Sequence, residues 1–350
     1  MIKNIAIDEA LAKDNAIFID VRSPQEFAED SLPFAYNIPL LDDEQRSRVG
    51  ITYKHQGSTE ARQLGMELIA GQIPEKIKKI KELAQGKELI LYCWRGGMRS
   101  KAMCELLDLA GIPSYRLIGG YKAFRKHVNE FFSRTELSQQ FFVIYGLTGV
   151  GKSEIIQRLQ RLNVAAIDLE KLANHRGSVF GSVGLGDQPS QKKFETALYT
   201  ALRAFRNEQA IVVEGESRKI GKLTIPALFF DAMQNGYRIL VYDSLQNRIK
   251  RICQEYMQGP DRNLLALEKS LSFLQRRIGK VKVEKLTEQL RSGEYMQVVK
   301  DLLVNYYDVL YRHPDQPSAE YDLSVNSGNV EQAAEEIRRF IHLKSLGKGG

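Results

Sequence analysis

Apolar positions in this chain fall into short dense runs separated by longer stretches with helical spacing. The runs at 16–20 (AIFID) and 88–92 (ELILY) have the length and side-chain types of buried strands, and 115–118 reads the same way. Helical spacing covers 24–30 behind a Ser23 cap, 65–85 with a break at Pro74, and 97–110 up to Gly111. A mixed-charge helix is predicted over 121–138. Near residue 140 the alternation restarts. Strands are predicted at 141–145 (FFVIY), 164–167, 210–214 (AIVVE) and 238–242 (RILVY), with helices over 151–162 and 191–207. Helices then follow one another from about 245 to 312, and a strand at 321–325 precedes a last helix at 329–342. Strands alternating with helices imply parallel sheets under helical cover.

The interrupted pattern predicts a parallel-sheet α/β domain over 1–125, a connecting helix over 126–140 and a doubly wound α/β domain over 141–345. The second domain carries a helical insertion and a C-terminal strand and helix, and a flexible tail is expected over 346–350. Composition agrees. At 43% hydrophobic and 27% charged residues, the 350-residue chain has apolar material for two cores and too much for a disordered protein. No apolar run approaches the ~20 residues of a membrane span. The first twenty residues carry acids and lack the apolar centre of a signal peptide. Cysteines at 93, 104 and 253, without a CxxC pair, exclude a disulfide framework and suit a reducing cytoplasm.

Charge adds a direction. Fifty Lys and Arg against 43 Asp and Glu give +7, which favours an anionic partner. The excess recurs in clusters at 125–134, 191–193, 217–222, 248–251 and 276–282. Each alone suits a solvated helix face; beside anion-binding motifs they point to RNA or phosphates.

The sharpest motif is Gly146-Leu-Thr148-Gly149-Val-Gly151-Lys152-Ser153, a complete GxxxxGK[ST] between a strand and a helix. Its backbone N–H groups and the helix N-terminus form an anion cradle. Lys152 neutralises terminal phosphate oxygens, and Ser153 offers a hydroxyl able to ligate Mg²⁺. Glu214, or its neighbour Glu216, is the candidate second acidic position, and Asp168 ends another strand where parallel sheets place ligand groups. Arg218 and Lys219 are candidate phosphate contacts, and Arg248 and Arg251 resemble a phosphate-clamping lid. Any diphosphate-bearing ligand would satisfy such a loop.

A second loop, Cys93-Trp94-Arg95-Gly96-Gly97-Met98-Arg99-Ser100, lies between a strand and a helix. Inward N–H groups, the helix N-terminus and two arginines favour a thiolate at Cys93 and an incoming anion beside it. Cys104 and Cys253 read as core.

Four ordered segments, DVRSPQEF at 20–27, NIP at 37–39, the cysteine loop and LIGGYKAF at 117–124, together resemble a rhodanese domain. The loop has the Cys-x5-Arg-Ser form, one residue longer than usual for rhodaneses and shared with cysteine phosphatases, which implies a roomier pocket. With GLTGVGKS and VEGESRKIGK following in order, the whole chain resembles the tRNA 2-selenouridine synthase family, a rhodanese-like domain fused to a P-loop NTPase-like domain. That resemblance implies replacement of sulfur by selenium in 2-thiouridine at the wobble position of tRNA. The implied donor is selenophosphate, and geranyl diphosphate is implied as a co-substrate for S-geranylation. On this reading Cys93 handles selenium, Arg95 and Arg99 orient the anion, and the P-loop holds geranyl diphosphate with Mg²⁺ as a potential companion. The implied partners are a tRNA carrying 2-thiouridine and a protein supplying selenophosphate, in the cytoplasm. Two other readings stand beside it: a rhodanese-fold cysteine phosphatase or sulfurtransferase fused to a nucleotide-binding domain, and a non-catalytic tRNA- or nucleotide-binding module.

Overall fold

The computed structural model describes residues 2–178, 180–257 and 264–346. They divide into a first unit, up to Ser133 together with Glu195–Thr200, and a second holding Arg134–Phe194 and the chain from Ala201 onward.

In the first unit β1 (Lys3–Ile5), β2 (Ala16–Asp20), β3 (Tyr36–Asn37), β4 (Glu88–Tyr92) and β5 (Ser114–Leu117) form a sheet in the order β1-β5-β4-β2-β3. Every pairing is parallel. The central β4 is buried on both faces, which explains its unbroken apolar run. Leu89 and Leu91 pack with Ile80, Met103 and Leu107 on one side. Ile90 and Tyr92 pack with Tyr121, Phe124 and Val128 on the other.

The stretch predicted at 65–85 is two helices, Ser58–Ile69 and Ile73–Ala84, joined by a 3-10 turn. Pro74 sits in the first turn of the second, where its missing N–H breaks no hydrogen bond. A helix at Asp43–His55, closed by an Asp42/Gln45 capping box, has no counterpart in the sequence prediction. None of its residues is buried, so no apolar stripe announces it. The mixed-charge helix is Gly120–Phe132. Its Tyr121, Phe124 and Val128 lie in the core of the first unit, so the segment expected as a connector over 126–140 is in large part a packed helix of that unit.

In the second unit β6 (Gln140–Tyr145), β7 (Ala166–Ile167) and β8 (Ala210–Glu214) are followed by a hairpin of β9 (Lys219–Ile220) and β10 (Leu223–Thr224), then β11 (Tyr237–Tyr242) and β12 (Leu323–Asn326). The parallel sheet runs β12-β11-β6-β8-β7. Phe142, Ile144, Val212, Ile239 and Val241 pack beneath the helices Lys152–Arg161 and Val330–Leu346. The helical addition has its own core, including Leu271, Leu286, Leu290, Val298 and Leu302. Within it a π-helical turn, Leu303–Tyr307, joins helices Tyr295–Leu302 and Asp308–Tyr311. The last helix ends at Leu346, and the rest of the expected tail, 347–350, lies outside the described residues. Among the described residues no helix is long and apolar enough to cross a membrane.

Both motif loops leave the C-terminal end of the middle strand of a five-stranded parallel sheet, β4 for the cysteine loop and β6 for the phosphate loop. Open parallel sheets bind ligands at such strand ends.

Candidate active site

Cys93 follows β4 and is buried, with Sγ 3.3 Å from the Ser100 hydroxyl. Ser100 lies in the first turn of helix Met98–Leu109, so the sulfur sits beside a helix N-terminus. A thiolate there gains from unpaired N–H groups and the positive end of the helix. The LIGGY segment clamps the loop from outside. Tyr121 N–H donates to the Cys93 carbonyl at 2.9 Å, and Lys122 N–H to the Trp94 carbonyl at 3.0 Å. Gly120 has φ +56°, and a Cβ there would stand 2.1 Å from the Cys93 carbonyl oxygen, so only glycine fits.

The DVRSPQEF segment is the frame for this loop. Arg22, 1% exposed, pairs with Asp20 at 2.6 Å, donates to the Asp30 carbonyl and lies over the Tyr121 ring at 4.0 Å. Ser23 caps the helix Pro24–Glu29 in a capping box with Glu26. The same Glu26 receives both terminal nitrogens of Arg99, at 2.5 and 3.1 Å. Burial would raise the Glu26 carboxyl, but Arg99 brings it below the ordinary range. Arg99 is thereby fixed against the frame, whereas Arg95 stands exposed on the loop.

The phosphate loop is braced from behind. Arg248, 2% exposed, donates to the Thr148 carbonyl at 2.9 Å and pairs with Asp308 at 2.5 Å. Arg251 donates to the Gly149 carbonyl at 2.6 Å and pairs with Asp243 at 3.2 Å. Of the two arginines expected as a phosphate-clamping lid, Arg248 is engaged with a loop carbonyl and Asp308 and does not line the cleft, whereas Arg251 holds a loop carbonyl and Asp243 and also lines the cleft. Gly149, with φ +81°, lets the loop pass Ile252, whose Cδ1 would be 2.8 Å from an added Cβ. Lys152 donates to the Gly146 carbonyl at 3.3 Å, inside a cleft of about 520 Å³ that also includes Ser153, Glu170, Arg176, Glu216 and His313.

An acidic layer adjoins Lys152 and Ser153. Ser153 Oγ donates to Glu170 Oε2 at 3.0 Å, and the Glu170 N–H donates to Glu214 Oε1 at 2.7 Å. Glu214 is fully buried, and its Oε2 meets no donor among the described residues. Burial, then the charges of Asp168 and Glu170, hold the Glu214 carboxyl well above its usual range. Burial, then Glu216, push Glu170 up to about 8. Burial raises Glu216 as well, against the pull of Lys152. Hydroxyl and carboxylate oxygens beside a phosphate cradle suit a hard cation. Among the described residues no three His, Cys, Asp or Glu side chains could hold a metal ion by themselves. Ser153 and Glu170 would therefore hold Mg²⁺ only together with water and phosphate oxygens.

The candidate residues separate by place. Gly146, Thr148, Gly149, Gly151, Lys152, Ser153 and Glu216 line the cleft; Glu214 and Asp168 do not. Asp168 caps the helix Leu169–Ala173 through the Lys171 N–H at 2.8 Å. Arg218 and Lys219 are exposed at the β9–β10 hairpin and do not line the cleft. Glu170, Arg176 and His313 are additions. Glu170 lies two residues past the Asp168 strand end, a register that spacing alone did not select.

A half-open apolar hollow of about 60 Å³ adjoins the phosphate cleft inside the same unit, and Thr148, Ser178, Ile252 and Tyr256 line both. Its further walls include Leu267, Leu271, Val298 and Leu302, with Leu303 and Tyr307 supplied by the π-turn. π-turns inside helices often accompany binding sites.

Comparison with known proteins joins these two loops in one lineage. Residues 6–127 match the rhodanese-like domain family, and residues 139–342 match the tRNA 2-selenouridine synthase AAA domain. The tRNA 2-selenouridine synthase of Pseudomonas syringae pv. syringae (strain B728a) is 34% identical, with 98% of each chain covered. The protein of the same name from Ectopseudomonas mendocina (strain ymp) is 34% identical over 91% of this chain and 90% of its own. The one from Hydrogenovibrio crunogenus (strain DSM 25203 / XCL-2) is 33% identical over 88% of this chain and 91% of its own. With both halves present in order and alignment over nearly the full length, the chain belongs to the tRNA 2-selenouridine synthase family.

Proposed function

We propose that this protein converts 2-thiouridine at the wobble position of tRNA, position 34, into 2-selenouridine in two chemical stages. The phosphate loop holds geranyl diphosphate, and the cysteine loop uses selenophosphate. The carrying observation is the cleft that shares Thr148, Ser178, Ile252 and Tyr256 with an apolar chamber. A phosphate cradle beside walls of Leu and Val suits a diphosphate ester of a hydrocarbon. A nucleotide base would leave its hydrogen-bonding edge unpaired against those walls.

In the first stage the thiocarbonyl sulfur attacks the allylic carbon, the carbon–oxygen bond breaks, and diphosphate leaves as the base loses its N3 proton. Lys152 and the loop N–H groups stabilise the departing charge. Mg²⁺ held at Ser153 and Glu170 would add charge neutralisation there. In the second stage selenium replaces the alkylated sulfur at C2. Cys93, with its sulfur at a helix N-terminus, acts as the assisting nucleophile of this replacement. Exposed Arg95 guides the anion, and Arg99, held by Glu26, fixes the shape of the loop. A selenophosphate-supplying protein and a cytoplasmic setting fit this scheme.

Nucleoside mass spectrometry on tRNA treated with each variant tests it. Cys93→Ala is expected to accumulate S-geranyl-2-thiouridine without selenium, and Lys152→Ala to lose geranylation first. Normal selenation by Cys93→Ala would overturn the role given to the thiol.

A further inference from the structure

The first unit carries a feature that the two-stage scheme leaves unused. The helices Asp43–His55 and Ser58–Ile69 face the start of helix Met98–Leu109 across a groove of about 970 Å³. Met98 and Arg99, the last residues before Ser100 in the cysteine loop, form part of its wall. Ser100 in turn touches the Cys93 sulfur. The floor is apolar, with Leu40, Leu41 and Ile69 among its buried residues. Ile51, Tyr53, Met66 and Met98 line it while 53–62% exposed. Large apolar side chains gathered in one exposed depression mark a binding surface. Two of them are methionines, which adapt to irregular flexible ligands.

The rim is mainly cationic, with Arg99 held by Glu26 and Lys101 3.8 Å from Glu105. Arg46, Lys54, Arg62, Arg99 and Lys101 line the groove against a single carboxylate, Glu105. An apolar floor with a cationic rim fits an apolar group attached to a polyanion. It would leave a purely apolar protein partner facing unmatched charge.

We propose that this groove takes the geranyl chain of S-geranyl-2-thiouridine while its tRNA phosphates meet the basic rim, and so presents C2 of the base to the selenium chemistry at Cys93. This rests on the two-stage reading above. In the step served, the Cys93 thiolate attacks C2 and the C2–S bond to the geranyl sulfur breaks; a selenium lone pair of selenophosphate then displaces Cys93 from C2. The geranyl thiolate leaves and is protonated, and water then cleaves the Se–P bond to give phosphate and the selenouridine. Selenium and sulfur keep their oxidation states, so no redox partner is needed. The groove holds the hydrocarbon of the leaving thiol as well as of the substrate.

The test uses the full-length protein, selenophosphate and two tRNA stem-loops, one with S-geranyl- and one with S-methyl-2-thiouridine. Wild type is expected to prefer the geranyl RNA in kcat/KM. Gly65→Trp, at a position with ordinary φ and no atom closer than 4.0 Å to an added Cβ, is expected to cut that preference at least tenfold. Met66→Glu, on a 61% exposed side chain, provides the same readout should the tryptophan variant fail to fold. An unchanged preference in a folded variant, or no preference in wild type, overturns the groove alone. Wild type that selenates neither RNA overturns the two-stage reading and the groove with it.

Discussion

Cys93 follows β4 and sits on the strand side of its loop, whereas Lys152 opens the helix on the far side of the phosphate loop after β6. Both loops leave the middle of a five-stranded parallel sheet, and both need positive-φ glycine. Their electrostatic settings differ. Around the cysteine loop the nearby carboxylate, Glu26, is spent on Arg99, and Arg95 stands exposed. Beside the phosphate loop Glu170 and Glu216 line the cleft, and Glu214 and Asp168 back them. A bare anion binds well in the first setting. In the second, burial holds the carboxyls largely protonated, and a cation arriving with a diphosphate would let Glu170 ionise beside it. Under the proposed function, one strand–loop–helix geometry would serve two kinds of anion by changing what stands around it.

The largest test of that contrast is loss of activity. Cys93→Ala and Lys152→Ala should each slow their own stage by about 100-fold or more while leaving the other stage measurable, as read by single-turnover assays on tRNA. Equal loss of both stages from either variant would merge the two roles.

The braces come next. Arg22→Met would strand fully buried Asp20, so a loss of about 3–5 kcal/mol is expected from denaturant melts. Arg248→Met leaves Asp308, which is partly solvated, and one loop carbonyl, so about 1–3 kcal/mol is expected. The reverse order would mean that the phosphate loop, not the cysteine frame, carries the tighter support.

Glycine substitution sharpens the same point. An alanine at Gly120 meets a carbonyl oxygen that cannot move alone, and roughly 3 kcal/mol should be lost. At Gly149 the Ile252 side chain can shift, so about 1–2 kcal/mol is expected. Thermal melts of both variants decide it.

The smallest effect concerns pH. Burial, then Lys152 and Arg238, push His313 down to about 4. Between its unfolded value near 6.5 and that value, the unfolded chain binds a proton that the folded one does not. Stability should therefore fall as pH drops through this window. Because His313 is only partly buried, the loss attributable to it should be about 1 kcal/mol, and His313→Gln should remove it. An unchanged pH profile in the variant would take His313 out of the account.

The strands bearing both loops were legible because each is buried on two faces and reads as a continuous apolar run, as ELILY and FFVIY do. The phosphate loop was legible because its glycine spacing follows from the backbone. Less was readable where tertiary contacts decide. Helix Asp43–His55 buries none of its residues, and the β9–β10 hairpin looked like a basic cluster. Arg248 and Arg251, read together as a lid, separate only in the structure, because sequence does not show that Arg248 faces the Thr148 carbonyl away from the cleft that Arg251 lines. Glu170 was passed over for Asp168, since which of two acids near a strand end reaches a cleft depends on a helical turn of only five residues.

The widened turn at Leu303–Tyr307 has a consequence of its own. Such a turn holds one residue more than a regular helix, so deleting exposed Val304 would restore ordinary winding while leaving the segments before and after it in phase. Leu302 and Tyr307 would then stand four residues apart and still share a face. The surplus residue therefore broadens one wall of the hollow, at Leu303 and Tyr307, without turning the helices on either side of it.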